Sequence, residues 1–190
     1  MELTSSLIIL EPGISCWNAQ RVGALNPEES NEFQRVLNKM GQLSSQAQGL
    51  SSPLTTTEKL RETSDNVYIV CNDKADTIQG FLRLGEKHLF LYPDDGGSMF
   101  EEDVLCLLDF YVHETVQRKG LGIALFSSAL KSEGVNPTEI AYDRPSPKLP
   151  LFLSKHLRLE NGLDQPNRFM VFKEFFGGAA AARSIQRQGH

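Results

Sequence analysis

The chain has 190 residues, 40% hydrophobic and 23% charged, which is enough apolar material for a single domain with one sizeable core. A formal net charge of −5 and a pI near 5.4 argue against nucleic acid as the main partner, because neutralising phosphates needs a basic face. Cys16, Cys71 and Cys106 lie far apart without the paired spacing of a zinc site or an even count for disulfides, so reduced intracellular thiols and no metal are expected; the apolar run 7–10 ends at Glu11-Pro12, too short for a signal peptide or membrane span.

Residues 7–10 read as a first strand. Asn26-Pro27-Glu28-Glu29 offers a capping side chain, a proline suited to the first helical position and acids suited to the positive end of the helix dipole. Phe33, Val36, Leu37, Met40 and Leu43 then recur at steps of three and four, which predicts a helix to Gln48 that stops at Gly49. Ser51-Ser52-Pro53 is a break, and 55–63 reads as a shorter helix. Strands are predicted at 67–71, 77–84 and 87–92, with Asn72-Asp73 and Gly85-Glu86 as hairpin turns. Residues 93–98 read as a loop, and Glu101-Glu102-Asp103 extends it with negative charge.

Residues 104–112 are apolar on both alternating faces, as expected for the middle of a sheet covered on each side. Gly120 and Gly122 follow, and then Leu121, Ala124, Leu125, Ser128 and Ala129 mark the inner stripe of a helix ending near Gly134. A strand at 138–142 comes next. Ser146-Pro147 repeats the cap-plus-proline signature, and Leu149, Phe152, Leu153, His156 and Leu157 give that helix its apolar side. A last strand is predicted at 168–176, closing a domain of residues 1–176; 177–190 is low-complexity and reads as a flexible tail. The order of elements predicts a mixed α/β (α+β) layer arrangement.

A Gly-x-Gly turn at a helix start can hold an anion on backbone N–H groups, but alone it is a weak sign. Here Gln117-Arg118-Lys119-Gly120-Leu121-Gly122 resembles the acetyl-CoA pyrophosphate loop of the GNAT acetyltransferases, Gln/Arg-x-x-Gly-x-Gly/Ala. A narrower resemblance, to the α-tubulin N-acetyltransferases, runs from about the first strand to Phe176. It is carried by Leu108-Asp-Phe-Tyr-Val-His-Glu-Thr-Val-Gln-Arg-Lys-Gly-Leu-Gly122, by Ala141-Tyr-Asp-Arg-Pro-Ser-Pro-Lys148 and by Ala47-Gln-Gly-Leu-Ser-Ser-Pro53.

That resemblance implies a GNAT-like central mixed, mostly antiparallel β-sheet flanked by helices. It implies acetyl-CoA as co-substrate with no metal, held by Gln117, Arg118, Lys119, Gly120, Leu121, Gly122 and Ile123 at the pyrophosphate. Ser146, Lys148 and Lys155 are implied on the neighbouring helix, and Phe110, Tyr111 and Val112 at the strand end, where a backbone N–H would polarise the thioester oxygen. Independently of the resemblance, successive N–H groups from Gln117 to Gly122 suit a pyrophosphate, whose charge needs several donors at once. Arg118 and Lys119 read equally well as solvent-facing residues.

The implied reaction is acetyl transfer to a lysine in the luminal loop of α-tubulin in microtubules, by direct attack in a ternary complex. With a free lysine pKa of about 10.4, making the neutral amine at pH 7 costs roughly 4.6 kcal/mol, so a base or water relay is needed. Gln48, Cys106 and Asp143 are the catalytic residues the resemblance implies. Asp143 has the chemistry of a base, Cys106 has it only as a thiolate, and Gln48 can orient an amine or water but not take its proton. Cys106 also reads as a small core residue, and Asp143 as a turn or cap residue.

The acidic set Asp94, Asp95, Glu101, Glu102 and Asp103 is placed to attract a cationic loop, which aids docking rather than deprotonation. No nucleic acid and no membrane are expected as partners, a monomer is expected, and the location implied is the cytoplasm and its microtubules, including the axoneme of a cilium or flagellum. Two other readings are a GNAT enzyme acting on other protein lysines or small amines, and a catalytically silent tubulin-binding module. The presence of Gln48, Cys106, Asp143 and both glycines weighs against silence.

Overall fold

A computed structural model describes residues 10–94 and 96–177. Of the expected first strand only Leu10 lies inside that range, and it is buried; Asp95 and the tail beyond Gly177 lie outside it. The strands are β1 (Gly13–Trp17), β2 (Asn66–Cys71), β3 (Ile78–Leu91), β4 (Phe100–Val112), β5 (Ala141–Asp143), β6 (Leu163–Asp164) and β7 (Phe169–Val171). The helices are α1 (Ala19–Gly23), α2 (Pro27–Ala47), α3 (Thr57–Arg61), α4 (Leu121–Glu133), α5 (Lys148–Leu157) and α6 (Glu174–Gly177). The strands make one sheet in the order β1-β2-β3-β4-β5-β7-β6. The pairs β1–β2, β2–β3, β5–β7 and β6–β7 are antiparallel and β4–β5 is parallel, which gives the expected mixed, mostly antiparallel α/β fold.

The chain forms two compact units, one of the described residues up to 85 with Leu108–Ala129, the other of Glu86–Leu107 with the described residues from 130 on. The first is built around α2. Asn26 accepts from the Glu29 N–H and the Glu29 carboxylate accepts from the Asn26 N–H, each at 3.0 Å, a reciprocal cap with Pro27 in the first turn. Each such cap contributes about 1 kcal/mol. Phe33, Val36, Leu37 and Met40 are buried as the periodicity requires, and the Phe33 ring lies 4.5 Å from that of Trp17. Full burial of side chains of this size stabilises by about 1.5–3 kcal/mol each. Further along the same helix the buried face turns polar, at Ser44 and Ser45.

β1 and α1 were not legible in the sequence, because Glu11-Pro12-Gly13 reads as an end rather than a beginning. The predicted turn at Gly85-Glu86 is corrected: β3 runs through it as one strand. A Cβ at 85 would collide with the Asp65 carboxylate and lie 2.9 Å from the Leu108 side chain, so this glycine serves a close approach inside a strand rather than a turn.

In the second unit, Glu101-Glu102-Asp103 belongs to β4 instead of a loop. Glu101 and Asp103 sit on the exposed face and meet His88 of β3, whose ring nitrogens lie 2.9 Å from Asp103 and 3.1 Å from Glu101. This cross-strand pairing lets charged residues form strand. The carboxylates of Asp103 and then Glu101 hold the His88 imidazole above its usual pKa.

The strand predicted at 138–142 is confined to Ala141–Asp143. Before it, the Glu139 carboxylate accepts from the Asn136 backbone and side-chain N–H groups at 2.7 and 2.9 Å, a local turn that competes with the ladder. The last predicted strand ends at Val171. The N–H groups of Phe175 and Phe176 reach back three residues to Phe172 and Lys173, and this helical turn buries Phe175 and sets Phe176 edge-on to Phe100. Gln165, also missed, bonds Tyr92 through both ends of its amide, at 2.8 and 3.2 Å.

Candidate active site

In the first unit, β4 ends at Val112, and residues 113–120 turn the chain into α4. Two bonds close this loop: the Gln117 side-chain amide donates to the Val112 carbonyl at 2.8 Å, and the Gln117 N–H donates to Glu114 at 3.4 Å. Gln117 thus acts as the clasp of the loop. Arg118 and Gly120 both have left-handed backbones, φ 63° and φ 81°. Gly120 can adopt this conformation without the penalty of a Cβ, and the space where one would stand is empty to 4 Å. The first intrahelical bond follows at once, from the Ala124 N–H to Gly120 at 3.1 Å. The first N–H groups of a helix have no partner within it, so Leu121, Gly122 and Ile123 supply donors at the positive end of α4. Arg118 and Lys119 are exposed beside them. Gly122 is already helical, so its case differs from that of Gly120.

Phe110 is half-buried with its ring 6.2 Å from Phe126 of α4, and Tyr111 is buried against Phe81. One residue earlier stands Asp109, which the sequence reading did not single out. Its carboxylate is buried and accepts from Ser44 Oγ (2.8 Å), Gln48 Nε2 (3.0 Å) and Thr55 Oγ1 (2.7 Å). Gln48 caps the C-terminal end of α2 and is half-buried. The signal available beforehand was an acid inside the most apolar strand of the chain, together with Ser44 and Gln48 one helical turn apart.

In the second unit, Cys106 is fully buried and its thiol donates to the Val104 carbonyl at 3.2 Å. It pairs in register with Ala141 of β5. Asp143 follows two residues further along β5, on the same face of the sheet as Ala141, about 7 Å along the strand. The Asp143 side chain is 13% exposed, and its two oxygens accept from Arg144 at 3.0 and 3.1 Å. This pairing raises the pKa of the Arg144 guanidinium.

Ser146 makes no side-chain cap, a correction to the predicted signature. Pro147 itself takes helical angles, φ −56° and ψ −19°, and starts the turn by closing the Leu149 N–H onto the Ser146 carbonyl. Lys148 and Lys155 are exposed on α5. Gln48 therefore belongs to the first unit, with the loop, while Cys106, Asp143, Ser146, Lys148 and Lys155 belong to the second.

A glycine loop at a helix N-terminus occurs in many folds, and the family decides its meaning. The model of the family described as GNAT acetyltransferase, Mec-17, matches residues 3–190. The chain belongs to this family.

Alpha-tubulin N-acetyltransferases are similar to this Mec-17 family member. That of Tetrahymena thermophila is 43% identical over 164 residues, 86% of this chain and 40% of that protein. That of Aedes aegypti is 43% identical over 156 residues, 81% and 57%, and that of Phytophthora infestans is 44% identical over 135 residues, 68% and 75%. The chain thus spans about half the length of the first two. Likeness to solved structures is slight: Arabidopsis thaliana NAA60 in complex with acetyl-CoA is 13% identical over 84% of this chain and 96% of that one, with a TM-score of 0.41.

The residues fit the co-substrate that GNAT acetyltransferases use. A pyrophosphate needs several donors on one concave stretch, and the left-handed backbones at Arg118 and Gly120 ahead of the α4 N-terminus form one. Among the described residues no group of His, Cys, Asp or Glu is arranged to hold a metal, and no helix is long and apolar enough to cross a membrane.

Proposed function

We propose that this Mec-17 family acetyltransferase moves the acetyl group of acetyl-CoA to the side-chain amine of a lysine in the luminal loop of α-tubulin, by direct attack in a ternary complex on microtubules, including those of cilia. The observation that carries the reading is the closed loop from Val112 to Gly120, which delivers the α4 N-terminus to the end of β4. The name shared by the relatives supports the choice of α-tubulin.

Acetyl-CoA supplies a thioester acetyl group open to attack by an amine. Arg118 to Ile123 hold its pyrophosphate, with Lys148 and Lys155 as further cations. At the reacting end, strand geometry favours one backbone donor. The His113 N–H is spent on Gln79 of β3 at 2.8 Å. Alternation turns the Tyr111 N–H the same way and the Val112 N–H the other way. The Val112 carbonyl, which points with its N–H, is the one taken by Gln117. The Phe110 N–H already donates to Asp109. Val112 is therefore the donor that polarises the thioester oxygen.

Deprotonation of the lysine falls to Asp143. Each of its oxygens accepts one N–H from Arg144 and keeps a lone pair for the substrate ammonium or a relaying water. Gln48 accepts from the amine and orients it. Cys106, its buried thiol donated to a carbonyl, packs in the core of the second unit.

The test is to incubate the protein with acetyl-CoA and microtubules and to locate acetyl-lysine by mass spectrometry. Label on the luminal-loop lysine of α-tubulin is expected. Absence of any acetyl-CoA-dependent label on α-tubulin rejects the proposal, and label on free amines at equal efficiency rejects the substrate assignment.

A further inference from the structure

Asp109 is 4% exposed in an apolar strand, and among the described residues no cation bonds it. Its partners are neutral: two hydroxyls, one amide and the Phe110 backbone N–H. Burial raises the pKa of its carboxyl, and an apolar residue at this position would avoid that cost. What the carboxylate does to its neighbours follows from hydrogen-bond valence.

A carboxylate only accepts. Ser44 has one hydroxyl hydrogen and gives it to Asp109 Oδ1, so the Ser44 oxygen is left to accept from the Gln48 amide, 2.9 Å away. Gln48 Nε2 donates to both Ser44 Oγ and Asp109 Oδ1, at 2.9 and 3.0 Å, and because these two oxygens are themselves 2.8 Å apart they draw the NH2 group to one side. The amide cannot turn over, because that would press its carbonyl oxygen against the carboxylate. The NH2 group is thus held toward Asp109, and among the described residues no hydrogen bond is made to Oε1, on a half-buried side chain at the end of α2.

We infer that Asp109 is a positioning residue for the transfer reaction: together with Ser44 it holds the Gln48 NH2 group toward the carboxylate, so that Oε1 is the end of the amide offered to the incoming lysine amine. The inference rests on the reading that Gln48 meets the substrate amine. An acceptor at this point holds an N–H of the nucleophile and directs its lone pair away, toward the acyl carbon. An NH2 group in the same place would compete for that lone pair. Thr55 on the other carboxylate oxygen keeps the Asp109 side chain from rotating.

A reciprocal exchange tests it. Asp109→Asn keeps the shape but provides an NH2 group that can pair with Gln48 Oε1, freeing the Gln48 amide to turn. Its kcat/KM for microtubules is expected to fall roughly 10- to 100-fold, the scale of one misdirected hydrogen bond, while the KM for acetyl-CoA stays within about twofold. Gln48→Glu alone sets two carboxylates together and is expected to lose at least as much. The double variant Gln48→Glu/Asp109→Asn restores one acceptor inward and one outward, and should recover activity to within about fivefold of wild type.

The amide itself provides a readout that does not depend on turnover. In 15N spectra the Gln48 side-chain NH2 should exchange slowly with water in the wild type and rapidly in Asp109→Asn. Wild-type kcat/KM in Asp109→Asn, no recovery in the double variant, or fast exchange of the wild-type amide would each overturn the inference. If Asp109→Asn does not fold, Ser44→Ala removes one link of the same chain and should accelerate Gln48 amide exchange; unchanged exchange overturns the inference. A wild type that leaves microtubules unlabelled sinks the functional reading instead, and amide exchange still decides the orientation of Gln48.

Discussion

Arg83 and Asp65 form an ion pair almost sealed from water, their side chains 8% and 3% exposed. Arg83 gives Nε and Nη2 to one oxygen of Asp65, and its Nη1 donates to the Leu54 carbonyl at 2.6 Å. One guanidinium therefore ties β3 to the start of β2 and to the loop ahead of α3. Thr55, the next residue of that loop, bonds Asp109. Replacing Arg83 with Met leaves a buried carboxylate and a carbonyl without their donor, and the expected loss is about 3–5 kcal/mol. The urea unfolding midpoint measures it, and a loss below about 1 kcal/mol would show the pair to be energetically idle.

Gly120 and Gly122 should respond differently to valine. At Gly120 the φ of 81° makes any side chain strained, so Gly120→Val is expected to cost about 1–2 kcal/mol of stability. It should also weaken acetyl-CoA at least about tenfold, because the loop must reshape. Gly122→Val lies inside the first turn of α4 and should leave the unfolding midpoint nearly unchanged while weakening acetyl-CoA by bulk alone. Calorimetric titration and thermal unfolding of the two variants separate the cases. Unchanged affinity in both would show the turn to be structural only.

Asp143→Asn removes the base and keeps the shape. Turnover on microtubules should drop about 100-fold or more, the usual contribution of a general base, with the acetyl-CoA dissociation constant little altered. A large loss of acetyl-CoA affinity with turnover intact would move Asp143 from amine handling to cofactor binding.

The pH dependence of stability should carry the signature of Asp109. Burial raises its folded-state pKa above the unfolded value of about 3.9, so in the window between the two the folded chain binds more protons than the unfolded chain. Stability then falls as pH rises through that window and recovers as pH falls. Asp109→Asn does not titrate, so any stability advantage of the wild type over it should shrink as pH rises from the unfolded value of about 3.9 through the raised folded-state value. Thermal unfolding of both proteins across that range measures the gap, and a gap that widens with pH would show Asp109 to be better stabilised as an anion than its burial allows.

Local patterns were readable wherever one element could satisfy itself. The Asn26 box, the apolar stripe from Phe33 to Met40, the stop at Gly49 and the alternation of β4 each follow from a few neighbours in sequence. The loop from Gln117 to Gly122 was likewise legible as a phosphate-binding pattern. The misreadings lie where a distant residue decides. Gly85 read as a turn until Asp65 and Leu108 crowded its missing side chain. Glu101 and Asp103 read as loop until His88 faced them.

Composition, periodicity and element order by themselves determined the mixed α/β class, the helix that leads to Gln48 and the glycine turn ahead of α4, because these depend on residue spacing alone, while the family rested on the resemblance of longer motifs. Tertiary structure alone decided the partners of Asp109, those of the Gln48 amide and the clasp from Gln117 to Val112. Those depend on hydrogen-bond valence between groups as much as 65 residues apart, as with Ser44 and Asp109. A buried carboxylate must find its donors in space, and no local pattern states which ones it will meet.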